Sequence, residues 1–107
     1  MKGITNEEQL NGIGKDKIVI ADFFAEWCNP CKMLMPSIEE LAETYKENTQ
    51  IEVVKINVEK APELTKEYSI MSMPTILFLQ NGKIIDFLPG LISKESIVSK
   101  IEALLAK

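Results

Sequence analysis

The stretch Lys17–Leu34, KIVIADFFAEWCNPCKML, decides the fold of this chain. Its first half, up to Ala25, is almost continuously apolar and rich in β-branched and aromatic residues, which predicts a strand covered on both faces. Two cysteines, Cys28 and Cys31, follow this strand and open a long helical pattern. They are the only cysteines of the chain, and their position between a strand and a helix favours a redox-active pair.

The rest of the chain alternates between helix and strand patterns. The first half indicates a short strand near Gly3, a helix opened by a capping box from Thr5 to Glu8, and the strand over 17–25. A long helix follows, with Pro36 inside it and one apolar face formed by Leu34, Ile38, Leu41, Ala42 and Tyr45. The second half indicates a strand over 51–58, a helix over 62–68, strands over 75–80 and 83–88, and a last helix capped by Ser93. Alternation with crossovers predicts parallel strands in the first half. The dipeptide Asn81-Gly82 predicts a two-residue turn of the primed type, and therefore antiparallel strands, in the second half. The predicted fold class is α/β, a mixed sheet between helices.

Composition and charge narrow the function classes. The 107 residues, 46% hydrophobic and 26% charged, fit one globular domain over residues 1–107. A net charge of −4 without arginine or histidine leaves no basic patch for nucleic acid or for a membrane surface. Because the chain has no histidine, any acid–base catalysis must use a carboxylate, lysine, tyrosine or cysteine side chain. The first residues contain no apolar signal-peptide core, so we expect a cytoplasmic protein, and its size and charge favour a monomer.

The two cysteines are expected to differ in reactivity. Residues three apart on a helical turn are about 5–6 Å apart, within the Cα separations of about 4.4–6.8 Å that a disulfide accepts. Cys28 falls at the helix N-terminus, where free N–H groups and the helix dipole stabilise a thiolate. Lowering a thiol pKa from about 8.5 to about 7 requires about 2 kcal/mol. Since Pro30 has no N–H, the Cys31 amide and thiol are the expected donors to the Cys28 thiolate. Cys31, one turn inward, is the expected resolving thiol.

Other interpretations of these residues remain open. The cysteines could be inert core residues, or half of a metal or cluster site shared by two chains, since one chain lacks four ligands. Asp22 interrupts an apolar strand, either as a buried acid–base group with a raised pKa or as an edge residue facing solvent. Lys55 interrupts the strand over 51–58, either as an ionic partner of Asp22 or as a lysine whose stem lies on the sheet while its ammonium reaches water.

The residues around the cysteine pair resemble a known family. The segment from Ala21 to Lys32, ADFFAEWCNPCK, is similar to the active-site stretch of the thioredoxins. The resemblance extends across nearly the whole chain, at Pro36, Lys55 with Asn57, Met73-Pro74-Thr75, Asn81-Gly82 and Gly90. A lone C-x-x-C is a weak signal, but W-C-x-P-C-K followed by M-P-T and an N-G hairpin at these spacings is a strong one.

This resemblance implies a thioredoxin fold, with a mixed sheet of four to five strands between about four helices. It implies a thiol–disulfide oxidoreductase that reduces protein disulfides through a mixed-disulfide intermediate. In that mechanism Cys28 is the attacking thiolate, Cys31 resolves, and Asp22 is the buried acid–base group, tuned by Lys55. No bound cofactor is implied beyond the cysteine pair. The implied partners are protein substrates with reducible disulfides and a thioredoxin reductase, usually a flavoprotein.

The resemblance further implies a cis peptide bond before Pro74 and an apolar docking surface for extended substrate segments. The residues of this docking surface are Trp27, Asn29, Pro30, Val58, Met73, Pro74, Pro89, Gly90 and Leu91. Ordinary scatter of apolar residues on a protein surface is the alternative. Asn29 departs from the family, which usually has glycine there, and residues between the cysteines tune the reduction potential. Two other functions are open: a disulfide oxidant or isomerase, and an interaction subunit whose thiols are idle.

Overall fold

The computed structural model describes residues 1–107 as five strands and four helices. In chain order these are β1 (Lys2–Gly3), α1 (Glu7–Asn11), β2 (Ile18–Phe24), α2 (Asn29–Thr44), β3 (Ile51–Asn57), α3 (Pro62–Glu67), β4 (Thr75–Gln80), β5 (Lys83–Pro89) and α4 (Lys94–Leu105). The expected alternation of helices and strands is confirmed, and strand ends differ from the predicted ones by at most one residue. None of the four helices has both the length and the apolar character that crossing a bilayer requires.

The sheet is mixed, as predicted, with the spatial order β1-β3-β2-β4-β5. Strand β3 pairs in parallel with β1 and β2. Strand β4 pairs antiparallel with β2 and with β5. The strand that leads into the cysteine pair is therefore the central one, with hydrogen-bonded neighbours on both sides.

Strand β2 contributes side chains to two hydrophobic cores because its residues alternate between the faces of the sheet. Ile18 and Ile20 belong to the core under α2 and α4. Val19 and Phe23 belong to the core on the opposite face. Burying each of these side chains fully stabilises the fold by about 1.5–3 kcal/mol. This two-sided burial fixes the end of β2, and with it the start of α2.

Helix α1 begins one residue later than predicted. The N-cap is Asn6, whose side-chain oxygen accepts a hydrogen bond from the Gln9 amide at 2.8 Å. Thr5 instead donates its backbone N–H to the Gln9 side chain at 2.7 Å. The predicted pairing of Thr5 with Glu8 is wrong, because Asn6 and Gln9 satisfy these backbone groups instead.

The hairpin between β4 and β5 has the predicted primed turn. Asn81 and Gly82 have φ values of 53° and 80°, the left-handed conformation that both positions of such a turn require. The Asn81 side chain also accepts the Asp16 N–H at 2.9 Å and donates to the Asp16 carboxylate at 2.8 Å. The turn is thereby attached to the loop before β2, at the end of the sheet remote from the cysteines.

Candidate active site

Cys28 is the N-cap of helix α2, as the sequence predicts. Its sulfur accepts a hydrogen bond from the backbone N–H of Cys31 at 3.2 Å, and its carbonyl accepts the Lys32 N–H at 3.1 Å. Pro30 occupies the first turn, where its missing N–H removes no helical hydrogen bond. The Cys28 sulfur therefore lies at the positive end of the helix dipole, which stabilises an anion there.

The two cysteines are joined by a disulfide bond, with a Cα–Cα distance of 5.3 Å. This distance lies within the ordinary range for a disulfide, so the start of α2 holds the pair in bonding geometry. Cys31 is the more buried residue, with 1% of its surface exposed against 6% for Cys28. Cys28 is therefore the more exposed cysteine of the pair.

A small apolar cluster surrounds the disulfide. Its buried members are Ala25, Cys28 and Cys31, and Phe24, Val58 and Met73 pack against them. The Met73 carbonyl oxygen lies 3.7 Å from Cys28 Sγ. The peptide bond between Met73 and Pro74 is cis, and the Pro74 carbonyl accepts the Gly90 N–H at 2.8 Å. The loops before β4 and after β5 are thus joined beside the disulfide.

The residues of the docking surface differ in exposure. Trp27 and Leu91 are 64% and 47% exposed, and Asn29, Pro30 and Pro89 are exposed as well. Val58, Met73 and Gly90 are half-buried, and Pro74 is buried. We call the exposed residues the rim of the predicted docking surface and the half-buried ones its floor. Pro74 is below that surface and contributes its backbone carbonyl to the contact with Gly90.

Asp22 is fully buried, and the interpretation of an edge residue facing solvent is wrong. It lies on β2 two residues after Ile20, on the face of the sheet that α2 covers. Neither carboxylate oxygen has a hydrogen-bond partner. Loss of hydration on burial raises the pKa of Asp22 from 3.8 to about 7. This carboxyl group is therefore able to exchange a proton near neutral pH.

Lys55 lies opposite Asp22 in the register between β3 and β2. No ion pair joins the two residues: the five ion pairs of the structure involve other groups. Lys55 is half-buried and lines an open groove of about 470 Å³. Phe24, Ala25, Glu26, Cys31, Lys32 and Met35 form the remaining walls of this groove. Lys55 and Cys31 thus line one open groove, and Asp22 is not among its lining residues.

Sequence reasoning missed Glu26 as part of this site. The Asn57 side-chain amide donates to the Glu26 carboxylate at 3.1 Å, and the Lys60 ammonium lies 4.0 Å from the same oxygen. Only its position directly before Trp27 could have drawn attention to Glu26. No group of three or more cysteine, aspartate and glutamate side chains lies close enough together to hold a metal ion. The cysteine pair has no third ligand beside it.

The fold and the bonded cysteine pair together define a thiol–disulfide oxidoreductase. Comparison with known proteins gives the particular family. The family model described as Thioredoxin matches residues 2–103. A thioredoxin of Mycoplasmoides gallisepticum is 43% identical over 98 residues, which cover 91% of this chain and 95% of that relative. A thioredoxin of Chlorobaculum thiosulfatiphilum is 41% identical over 94 residues, covering 88% and 85%.

Solved structures agree with these sequence comparisons. The thioredoxin of Malassezia sympodialis superimposes with a TM-score of 0.86 at 31% identity, covering 96% of this chain and 89% of that one. The thioredoxin of Plasmodium falciparum gives a TM-score of 0.83 at 36% identity, covering 96% and 98%. The chain belongs to the thioredoxin family, and the predicted fold and thiol–disulfide oxidoreductase function are confirmed.

Proposed function

We propose that this protein reduces disulfide bonds of other proteins, with Cys28 as the nucleophile and Cys31 as the resolving thiol. One observation carries this proposal: the Cys28 sulfur caps α2 and accepts the Cys31 N–H at 3.2 Å. The same environment in the dithiol form favours a Cys28 thiolate. Cys31 is more buried, which disfavours its ionisation.

The reaction proceeds by two exchanges. The Cys28 thiolate attacks one sulfur of the target disulfide, and the other target sulfur leaves as a thiolate. The Cys31 thiol then loses its proton and attacks Cys28 Sγ, which breaks the mixed disulfide and releases the second target thiolate. Two electrons have passed to the target, and Cys28 and Cys31 end as a disulfide, which is the bonded state of this structure.

Asp22 is the proposed acceptor of the Cys31 proton, directly or through water. Its raised pKa of about 7 suits a group that takes up and releases a proton at neutral pH. Both of its oxygens are free of hydrogen bonds, so no partner competes for that proton. Lys55 is proposed to tune Asp22 from the neighbouring strand, as a positive charge beside the groove that Cys31 lines.

The proposed docking surface is the rim described above, with Met73 and Val58 as its floor. A target segment that lies across it is expected to contact Trp27 on one side and Leu91 on the other. Apart from Asn29 the residues of this surface are apolar, and none is charged, so contact area rather than charge supplies the affinity.

The remaining parts of the proposal concern recycling and environment. The disulfide form must be reduced again, and we propose a thioredoxin reductase as the electron donor. The cysteine pair itself carries the electrons, so the chain needs no bound cofactor. Both cysteines belong to this pair, and none is left for a structural disulfide, which suits a reducing compartment such as the cytoplasm. We propose that the protein acts there as a monomer.

The test is reduction of insulin disulfides by the pre-reduced protein and two serine variants. Cys28→Ser is expected to abolish reduction, because no nucleophile remains. Cys31→Ser is expected to retain the first exchange and to accumulate a mixed disulfide visible by mass spectrometry. Insulin that has been reduced and alkylated beforehand is the control and must trap nothing.

Two results would contradict the proposal. Turnover that survives in Cys28→Ser would exclude Cys28 as the nucleophile, and a Cys31→Ser variant that traps no target would exclude the resolving role. The equilibrium potential of the pair, measured against glutathione, separates a reductase from a disulfide oxidant or isomerase.

A further inference from the structure

Met73 is the one methionine among the residues packed against the disulfide cluster. Its side chain packs against the cluster of Ala25, Cys28 and Cys31, and its carbonyl oxygen lies 3.7 Å from Cys28 Sγ. The residue is only half-buried, so small solutes that enter the docking surface can reach it. The Met73 thioether therefore lies between the docking surface, which receives a target protein, and the two sulfurs that react with that target.

The other methionines provide an internal scale of exposure. Met71 is 92% exposed, Met33 is 66% exposed and Met1 is 45% exposed. The fourth, Met35, is half-buried and packs against the core under α2 and α4. None of these four is among the residues packed against the disulfide cluster. Since all are thioethers of the same chemistry, accessibility sets the order in which a small oxidant reacts with them. Met71 is therefore modified before Met73.

We propose that Met73 is an oxidation site at which hydrogen peroxide lowers the reduction of protein disulfides. The inference rests on the function proposed above. In the reaction the O–O bond of peroxide breaks, an S–O bond forms at Met73 Sδ, and water leaves. The sulfur is oxidised by two electrons and the peroxide is reduced by two.

The consequence follows from the change in polarity. A sulfoxide turns a flexible apolar side chain into a polar, chiral one. At Met73 this places a polar oxygen in the apolar cluster around Cys28, or turns the side chain outward onto the floor of the docking surface. A protein target that must cover this floor then meets a polar oxygen in place of an apolar side chain, and binds more weakly. A small aromatic disulfide, which needs only access to Cys28, is largely spared.

The experiment starts from the disulfide form, in which peroxide finds no free thiol. The protein is treated with graded hydrogen peroxide, freed of peroxide by catalase, reduced and desalted. Single-turnover reduction of insulin and of dithiobis(nitrobenzoate) is then measured, and peptide mapping quantifies the sulfoxide at each methionine. We expect about tenfold slower reduction of insulin, with less than about a twofold change for the small disulfide.

Timing and variants assign the effect to one residue. The loss of insulin reduction should keep pace with the formation of the Met73 sulfoxide. It should lag behind the formation of the Met71 sulfoxide. Met73→Leu, compared with its own untreated rate, should keep its rate after peroxide. The matched variants Met71→Leu and Met33→Leu should lose insulin reduction as the unaltered protein does.

Several outcomes overturn the inference. Met73 without sulfoxide, a loss that follows Met71, an equal loss on both substrates, or a Met73→Leu variant as sensitive as the unaltered protein would each do so. An untreated protein that fails to reduce insulin would instead refute the proposed function. In that case the Met73 peptide still tests whether this residue is an oxidation site.

Discussion

Asp22 is a carboxyl group without a hydrogen-bond partner in the protein core. An isolated buried charge is costly, and burial raises its pKa to about 7. The folded protein therefore prefers the protonated form over a pH range in which the unfolded chain is ionised. A group of this kind lowers stability and is retained at functional sites.

The first prediction concerns stability and pH. Between about pH 4 and pH 7 the folded state holds a proton on Asp22 that the unfolded state has lost, so the free energy of unfolding falls as pH rises. The shift from 3.8 to about 7 corresponds to about 4 kcal/mol in full. Asp22→Asn should remove this loss and be the more stable protein at pH 8, with little difference near pH 3.

Urea unfolding of the disulfide form across this pH range measures the effect. Glu39→Gln is the matched control, since Glu39 is exposed on α2 and should leave the pH dependence unchanged. An Asp22→Asn variant that loses stability between pH 4 and 7 as steeply as the unaltered protein would exclude Asp22 as the source.

The second prediction concerns the same residue in the reaction. If Asp22 accepts the Cys31 proton, Asp22→Asn should slow release of the target from the mixed disulfide by about 10²-fold or more. The unaltered protein should show a rate that rises with pH around 7, the pKa of Asp22, and the variant should lose this step. Stopped-flow release of a labelled peptide measures it. An unchanged pH profile would contradict the proposed role.

The role of Asp22 could be only partly predicted from sequence. The apolar pattern of residues 18–24 left a buried and an edge interpretation open, because a strand pattern does not reveal which neighbours a strand has. In the structure β2 pairs with both β3 and β4, so Asp22 lies in the middle of the sheet and is buried. The position of Asp22 opposite Lys55, and the absence of an ion pair between these two residues, likewise depend on how all the strands pair and could not be predicted from β2 alone.

At the scale of elements, β5 is an edge strand with an unusually apolar surface. Ile84, Ile85 and Phe87 are 47%, 39% and 56% exposed. Exposed edges of this kind tend to pair with a second chain. The Phe87 N–H, however, donates to the Asp86 carboxylate at 2.8 Å, and Lys100 of α4 holds that carboxylate at 3.0 Å. A donor of the edge is thereby occupied by its own chain.

The third prediction follows from this contact. Asp86→Ala should free the Phe87 N–H and remove a charge from the edge, and so should promote association through β5. Asp86→Asn keeps an oxygen acceptor and is the matched variant, expected to associate less than Asp86→Ala. Sedimentation velocity over a range of concentrations measures this. Two variants that both remain as monomeric as the unaltered protein would contradict a protective role for Asp86.

Caps and turns show what the sequence of a single element determines. The hairpin at Asn81-Gly82 was predictable because few residues accept its left-handed conformation. The Ser93 cap of α4 was predictable for a similar reason and is confirmed. The start of α1 was not, because Thr5 and Asn6 are both good caps and adjacent, and the contacts of Gln9 decide between them.

At the scale of the molecule, the sequence predicts a mixed sheet but not its strand order. Crossover rules predict the parallel pairing of β2 and β3, and the turn predicts the pairing of β4 and β5. Nothing local places β4 beside β2, or β1 at the far edge. The cis bond before Pro74 was predicted only from the family resemblance, because most peptide bonds before proline are trans.

The fourth prediction concerns the stability of the two redox states. The Cys28–Cys31 disulfide closes a loop of a few residues, and chain entropy gives such a short loop about 2 kcal/mol of stabilisation. The disulfide form should therefore resist urea better than the dithiol form. The comparison is made with a phosphine reductant at about pH 5, well below the ordinary thiol pKa of about 8.5. Cys31→Ser should not respond to the reductant, and equal stability of the two forms would contradict the estimate.

Trp27 gives the molecule an optical property that follows from its position. It is the only tryptophan of the chain, is 64% exposed and directly precedes Cys28. We expect the neighbouring disulfide to quench the indole, and its reduction to raise the emission of Trp27. Emission excited at the indole band therefore comes from a single fluorophore beside the reacting sulfurs. Electron transfer to and from the pair can be followed in real time on the unlabelled protein.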